Sequence, residues 1–177
     1  MRKDTWRQGL GRLGLVAAAI ASIATSPAEW SLEDSTAVPS VLLDTNQPED
    51  VRHFSVRSSQ AHGASVVGKL HWDRNLASPA AAVRVQILAD DGSLLREKIE
   101  RAQDSVDDEG ELQDASLQVG ANLPCESAPC EAGYTVHLSL VDGHPDESVR
   151  IDYRFVASIS GTGADEPNDA FVAVVQD

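Results

Sequence analysis

Apolar and polar residues alternate in short stretches along most of the chain from residue 54 onward. Successive side chains of a strand point to opposite sides, so this alternation is typical of a strand with one buried and one wet face. The alternating apolar positions are Phe54 and Val56; Val66, Leu70 and Trp72; Val83, Val85 and Ile87; Leu117, Val119, Ala121 and Leu123; Val136, Leu138 and Leu140; and Val149, Ile151, Tyr153, Phe155 and Ala157. Turn residues, as in Asp90-Asp91-Gly92, separate the stretches.

Half-polar strands of this kind favour antiparallel sheets. The pattern predicts an all-β protein, a two-sheet antiparallel β-sandwich or jelly roll of about seven or eight strands, over residues 48–177. Residues 29–47 form a polar entry segment in which Val38 to Leu43 is a possible first strand, and Ala170 to Val175 is the last apolar stretch.

Two segments depart from simple alternation. Ser93 to Ala102 carries Leu95, Ile99 and Ala102 at helical spacing, yet it is equally consistent with a strand. A strand and a turn precede it, which favours the strand. Ala102 to Asp114 has no apolar period and is predicted to be a loop.

The first 28 residues have the order of a secretory signal. Basic residues Arg2, Lys3, Arg7 and Arg12 precede an uncharged apolar run, Leu13 to Ala24, and small residues follow, so that cleavage is predicted after Ala24 or Ala28. As a helix, the apolar run reaches about 18 Å, short of the roughly 30 Å hydrocarbon core. The sequence therefore predicts a protein that is secreted or periplasmic, without stable membrane insertion after cleavage.

The chain is strongly acidic, with 14 basic against 28 acidic side chains and a net charge of -14. Loss of the leader removes four basic residues and one acidic residue, which leaves 10 basic and 27 acidic residues, or -17. Such a surface repels phosphate backbones and anionic lipid, so nucleic acid is excluded as a partner. Metal cations and basic proteins remain compatible with this charge.

Cys125 and Cys130 are the only two cysteines, and both follow the predicted leader. Export places them where thiols oxidise, so we predict a disulfide between them. The small ring that it closes is worth about 2 kcal/mol of unfolded-state entropy at most.

No spacing in the sequence is typical of a catalytic motif. It contains neither a G-x-S-x-G elbow nor H-E-x-x-H, so catalysis is not predicted, although a hydrolase with carboxylates on distant loops is one alternative. His71, Asp73 and His137 lie on or beside polar strand positions and could converge on a metal, although exposed histidines without such a role are commoner.

An acidic loop gives a second alternative, a calcium-binding accessory domain, with calcium as the possible cofactor. Five acids crowd around Gly110 and supply the oxygen ligands that calcium prefers. They are Asp104, Asp107, Asp108, Glu109 and Glu111. The spacing does not fit an EF-hand, whose first and twelfth positions would fall on Ser105 and Ser116. A solvated loop of like charges is the other interpretation.

Four short motifs follow one another along the chain: Glu49 to Val56, the Val66 to Trp72 strand, Val83 to Leu95 with its Asp-Asp-Gly-Ser turn, and Ala132 to Val136. Together they resemble the bacterial pre-peptidase C-terminal domain. The Asp-Glu-Pro-Asn-Asp segment at Asp165 to Asp169 is similar to one that often precedes such domains, although here it follows. The resemblance implies a jelly-roll sandwich with no catalytic residues of its own. It also implies a role in secretion, folding or attachment beside an exoenzyme.

Together these features predict an exported, non-catalytic β-sandwich module that binds an unknown protein or a surface polymer. Only 5% of residues are aromatic, which weakens the case for sugar stacking. If Trp72 lies in the core, Trp30 and Tyr134 are the aromatic candidates that remain for a surface site.

Overall fold

A computed structural model describes residues 29–73, 81–123, 128–142, 147–162 and 168–177. The predicted leader and its cleavage sites lie outside these residues, so they stay predictions. Ser31–Ser160 and Pro167–Asp177 belong to one compact unit, whereas Glu29, Trp30, Gly161 and Thr162 belong to another. Within the smaller unit, the Trp30 indole lies on Gly161, where an added Cβ would come 2.6 Å from Cζ2 of the indole.

The described residues form ten strands and one 3-10 turn. The strands are β1 Glu29–Ala37, β2 Val41–Leu43, β3 Glu49–Ser58, β4 His62–Trp72, β5 Ala82–Ala89, β6 Leu94–Arg101, β7 Ala115–Leu123, β8 Cys130–Asp142, β9 Val149–Thr162 and β10 Val172–Gln176, and the 3-10 turn is Ala102–Ser105. None of these segments is a helix long and apolar enough to span a bilayer.

The strands form two sheets that pack face to face. Sheet A has the order β1-β9-β4-β7, with β2 also paired to β9, and sheet B has the order β10-β3-β8-β5-β6. The registered pairs run antiparallel, and from β2 onward every connection except the β5–β6 hairpin passes between the sheets. The predicted two-sheet antiparallel sandwich is therefore confirmed.

The core lies between the two inner faces and is built from the alternating apolar positions. Phe54 of sheet B stacks on Phe155 of sheet A, with ring centroids 4.4 Å apart and planes 8° apart. Tyr134 packs against Phe155 at 5.4 Å. Trp72 is 5% exposed, so it belongs to the core.

The Asp90-Asp91-Gly92 turn closes the β5–β6 hairpin as the sequence predicts. Ala89 N–H donates to Ser93 O, and Gly92 N–H donates to Ala89 O, both at 2.9 Å. Gly92 has φ of +79°, a left-handed conformation that glycine adopts without a side-chain clash. The Ser93 to Ala102 segment is mainly strand β6, which confirms the strand interpretation over the helical one.

The entry segment differs from its prediction. Glu29–Ala37 is a strand paired with β9 in sheet A, and the possible first strand is confined to Val41–Leu43. Leu43 is fully buried, so the sandwich begins before residue 48. Sequence reasoning missed β1 because its half-buried positions include Asp34 and Thr36 as well as apolar residues.

Candidate functional site

An open cleft lies on the outer face of sheet B, where the register of three strands brings two rows of side chains together. One row is Ala173, Arg57 and Glu131, and the other is Val175, Ser55 and Gly133. The cleft has a volume of about 490 Å3. We call it the outer cleft; its lining residues are Ser55, Val56, Arg57, Asp90, Glu131, Ala132, Gly133, Ala173 and Val175.

An ion pair spans the first row of the outer cleft. Arg57 Nε lies 2.9 Å from Glu131 Oε1, and the two side chains are 62% and 68% exposed. An exposed pair of this kind adds little to stability, typically below about 1 kcal/mol. Its charges are therefore available to meet a partner without loss of the fold.

Asp90 closes one end of the outer cleft from the β5–β6 turn. Its carboxylate lies over Gly133, where an added Cβ would come 2.0 Å from Asp90 Oδ1. The absence of a side chain at Gly133 therefore leaves the space that Asp90 occupies. At the second row, the Ser55 hydroxyl donates to Asp177 Oδ2 at 2.7 Å.

The opposite wall of the outer cleft is apolar. Ala173 and Val175 belong to the outer face of β10, and Val175 is 58% exposed. Phe171 lies two residues before Ala173, directly before β10, and is 38% exposed. We call Phe171, Ala173 and Val175 the apolar stripe; it runs along the edge strand of sheet B.

The acidic loop is a hairpin turn with the same hydrogen bonds as the β5–β6 turn. Asp107 N–H donates to Glu111 O at 2.9 Å, and Gly110 N–H donates to Asp107 O at 3.0 Å. Gly110 has φ of +83°. The five predicted calcium ligands are thus five residues in or beside a tight turn.

Asp107 has a structural role in that turn. Its Oδ1 accepts the N–H groups of Glu109 and Glu111, and Oδ2 accepts the Gln113 amide. The hydrogen bond from Glu111 and those from Gln113 and Glu109 lower the pKa of the Asp107 carboxyl. Among the described residues, no three His, Cys, Asp or Glu side chains form a group that could hold a metal ion. Calcium binding therefore stays a prediction.

The structure does not bring His71 and His137 together. His71 lies on the outer face of sheet A, whereas His137 lies on the outer face of sheet B beside Glu49, 3.4 Å away. The inward neighbours of both histidines fill the core between them, because adjacent strand residues point to opposite faces. Asp73 follows β4, and its N–H donates to Ser148 O.

His71 contacts two other carboxylates on sheet A. Its Nδ1 lies 3.0 Å from Asp114 Oδ2, and its Nε2 lies 2.9 Å from Asp152 Oδ2. The Ser40 hydroxyl donates to Asp152, and this bond, with Arg150 and His71 nearby, lowers the pKa of Asp152. These contacts tie β4, β9 and the approach to β7 together.

His62 begins β4 and is only 3% exposed. Its Nδ1 lies 2.9 Å from Ser58 Oγ, and its Nε2 lies 2.6 Å from the Tyr134 hydroxyl. Ser58 gives its one hydroxyl proton to Gln60 O, so Nδ1 carries the imidazole proton and Tyr134 donates to Nε2. Tyr134 is thus buried and is no surface platform.

We expect acid to destabilise the fold through His62. Burial lowers the pKa of this imidazole, so the unfolded chain takes up a proton at a higher pH than the folded chain. The contribution of neutral His62 to the free energy of unfolding is therefore complete above the unfolded pKa of about 6.5 and is lost as pH falls through the folded pKa. Across that range the free energy of unfolding falls by at most about 1.4 kcal/mol per pH unit. Urea unfolding between about pH 7 and pH 5 measures this slope.

His62→Gln should reduce that slope, because an amide donates and accepts without titrating. His53→Gln is the matched control, since His53 is exposed on the outer face of sheet B. An unchanged slope in His62→Gln would contradict the assignment.

Of the two cysteines in the predicted disulfide, Cys130 lies among the described residues. Cys130 begins β8, is 6% exposed and pairs in register with Ser58. Cys125 lies outside the described residues, so the disulfide stays a prediction.

The fold and this site define an all-β sandwich with an open, partly charged cleft on one sheet face. No protein-family model and no curated protein sequence matches the chain. The resemblance to the pre-peptidase C-terminal domain therefore stays a prediction.

Several solved structures are similar over most of the chain. The CBM36-1 domain of a multidomain xylanase from the hindgut metagenome of Trinervitermes trinervoides is 13% identical, with a TM-score of 0.34 and coverage of 73% of this chain and 96% of that one. A carbohydrate-binding module CBM36 in complex with calcium and xylotriose is 11% identical, with a TM-score of 0.32 and coverage of 71% and 97%. The VP2 subviral particle of infectious bursal disease virus is 12% identical, with a TM-score of 0.33 and coverage of 86% and 37%. At these TM-scores the likeness carries no argument about function. The assignment of the fold rests on the strand pairing of this chain itself.

Proposed function

We propose that the protein is an exported, non-catalytic β-sandwich module whose partner, a protein or a surface polymer, occupies the outer cleft. The observation that carries this proposal is the cleft itself, an open depression of about 490 Å3 across three paired strands. A paired sheet holds its side chains at fixed spacing, and concave sites with a few convergent polar groups on rigid elements are suited to recognition.

The contacts inside the outer cleft favour binding over catalysis. Glu131 pairs with Arg57, and the Ser55 hydroxyl donates to the Asp177 carboxylate rather than to an imidazole. These groups are held by one another, whereas a nucleophile needs an adjacent base that takes its proton. Among the residues that the structure describes, no comparable contact favours the calcium or the hydrolase alternative.

Filling the outer cleft should weaken binding. Ala173 is exposed on the outer face of β10, so Ala173→Trp places an indole in the cleft without touching the core. The purified protein and this variant are screened against immobilised polysaccharides and against acidic, neutral and basic peptides. We expect at least one ligand class to lose about tenfold or more in affinity.

Ala37→Trp is the matched control, since Ala37 is exposed at the end of β1 in sheet A. It should bind like the unsubstituted protein. Equal binding by both tryptophan variants, or no binding of any class by the unsubstituted protein, would refute the outer cleft as the binding site.

A further inference from the structure

The carboxylates at the outer cleft outnumber its cations. Asp90 and Glu131 line the cleft, and Asp177 joins it through Ser55. Arg57 is the cation that lines it, and Arg57 is already paired with Glu131. Two further negative charges therefore remain at the site, on a chain with an overall charge of -14, and the potential there favours a cationic ligand.

The apolar stripe adds a second requirement for the ligand. Ala173 and Val175 lie on the outer face of β10 and Phe171 directly precedes the strand, so the three residues follow one another at every second position, a spacing of about 7 Å in extended chain. Alternate side chains of an extended peptide have the same spacing. A ligand that matches both the charge and the stripe is therefore long and extended rather than a small amine.

The edge of sheet B is obstructed at β10, which favours a ligand over the sheet face rather than at its edge. β10 is the edge strand of sheet B, and the backbone N–H of Val174 points away from β3. Asp34 accepts this N–H through Oδ2 at 2.8 Å. An added strand would need that donor, so Asp34 obstructs strand addition at the centre of β10.

We infer that the outer cleft binds an extended basic segment of a partner protein, in which lysine or arginine residues alternate with small apolar ones. A cationic side chain of the segment lies between Asp90 and Glu131, and its apolar side chains pack along the apolar stripe. This inference rests on the proposed function, because it assigns the occupant of the same cleft. A polysaccharide is disfavoured, since Phe171 is the one aromatic side chain that the described residues place on the stripe.

Three synthetic peptides of equal length test the occupant by fluorescence anisotropy with the purified protein. One alternates lysine with valine, the second alternates glutamate with valine, and the third alternates lysine with serine. We expect the Lys-Val peptide to bind at least about tenfold more tightly than the Glu-Val peptide at low salt, and this preference to shrink as salt screens the charges. The Lys-Ser peptide should bind more weakly than Lys-Val because it lacks contact with the stripe.

Charge variants of the protein place the peptide in the outer cleft. The double variant Asp90→Asn and Glu131→Gln should weaken Lys-Val binding about fivefold or more. Arg57→Gln should strengthen it, because Glu131 then loses its intramolecular cation. The matched control is Asp108→Asn with Glu109→Gln in the acidic turn, which removes the same two charges away from the cleft and should change the affinity less than about twofold.

The outcomes separate this inference from the proposed function. Equal affinity for the Lys-Val and Glu-Val peptides, or equal losses in the cleft and control double variants, would overturn the basic-peptide inference. If another ligand class still loses affinity in Ala173→Trp, the outer cleft remains the binding site and only its occupant is wrong. If Ala173→Trp affects no ligand, both fall together.

Discussion

Phe155→Ala is expected to lower the free energy of unfolding by about 3 to 5 kcal/mol. The Phe155 ring is fully buried, stacks on Phe54 across the two sheets and contacts Tyr134. Its removal leaves a cavity where the sheets meet and takes away an aromatic pair that is itself worth about 0.5 to 1.5 kcal/mol. The whole free energy of unfolding of a native domain is about 5 to 15 kcal/mol. Urea unfolding followed by tyrosine and tryptophan fluorescence measures the loss.

Val51→Ala provides the control for that variant. Val51 is 46% exposed on the outer phase of β3, so its truncation should change stability by no more than about 0.5 kcal/mol. A loss below about 1 kcal/mol in Phe155→Ala would mean that the two sheets do not meet through these rings.

Gly68→Ala should lower the free energy of unfolding by about 3 kcal/mol, although it adds a single methyl group. An added Cβ at Gly68 would come 2.2 Å from the Asp152 carbonyl oxygen and 2.8 Å from Tyr153 Cα. These are backbone atoms of β9, so the clash cannot be relieved by a side-chain rotation, and the β4–β9 ladder must shift. Thermal unfolding followed by circular dichroism detects the change.

Gly120→Ala is the matched control on the neighbouring strand of the same sheet. Its nearest contact would be Ser65 Cβ at 3.7 Å, which is ordinary van der Waals distance. Loss of backbone freedom in the unfolded chain should then stabilise this variant by about 0.4 to 1 kcal/mol. Equal melting temperatures for the two alanine variants would show that β4 and β9 are not packed this closely.

The alternation of apolar residues was sufficient to predict the inner faces of the strands. Val83, Val85 and Ile87 are fully buried, and so are Val136 and Leu138, because a strand with one apolar face must bury that face. The same logic was insufficient for His62, whose polar ring is buried because Ser58 and Tyr134 satisfy both of its nitrogens. Sequence alternation alone does not reveal such a partner.

The outer cleft was not predicted, although every segment that forms it was identified. Asp90 was assigned to a turn, Gly133 lay in the motif Ala132 to Val136, and Ala170 to Val175 was the last apolar stretch. The cleft depends on β10 pairing with β3, two strands separated by more than 100 residues. The one local signal was the alternation of Phe171, Ala173 and Val175, which can be recognised as an outer face only when Val172 and Val174 are known to pack inward.

The metal hypotheses show the same limit. Crowding of acids around Gly110 in the sequence predicted a ligand cluster. In the structure, the Asp107 carboxylate accepts hydrogen bonds from Glu111 and Gln113 within the turn that it closes. His71 and His137 have the same local pattern, yet they belong to different sheets and lie on opposite outer faces.

By itself, the sequence determined that the protein is all-β, which side of each strand is buried and where the tight turns fall. These properties depend on residues within a few positions of one another, through the two-residue period of strands and the backbone freedom of glycine. The tertiary structure alone decided the order of the strands, the partner of each buried polar group and the existence of the outer cleft. These three features depend on which distant segments pair. The free energy that favours one pairing over another comes from contacts across the whole core, so no single stretch of sequence contains it.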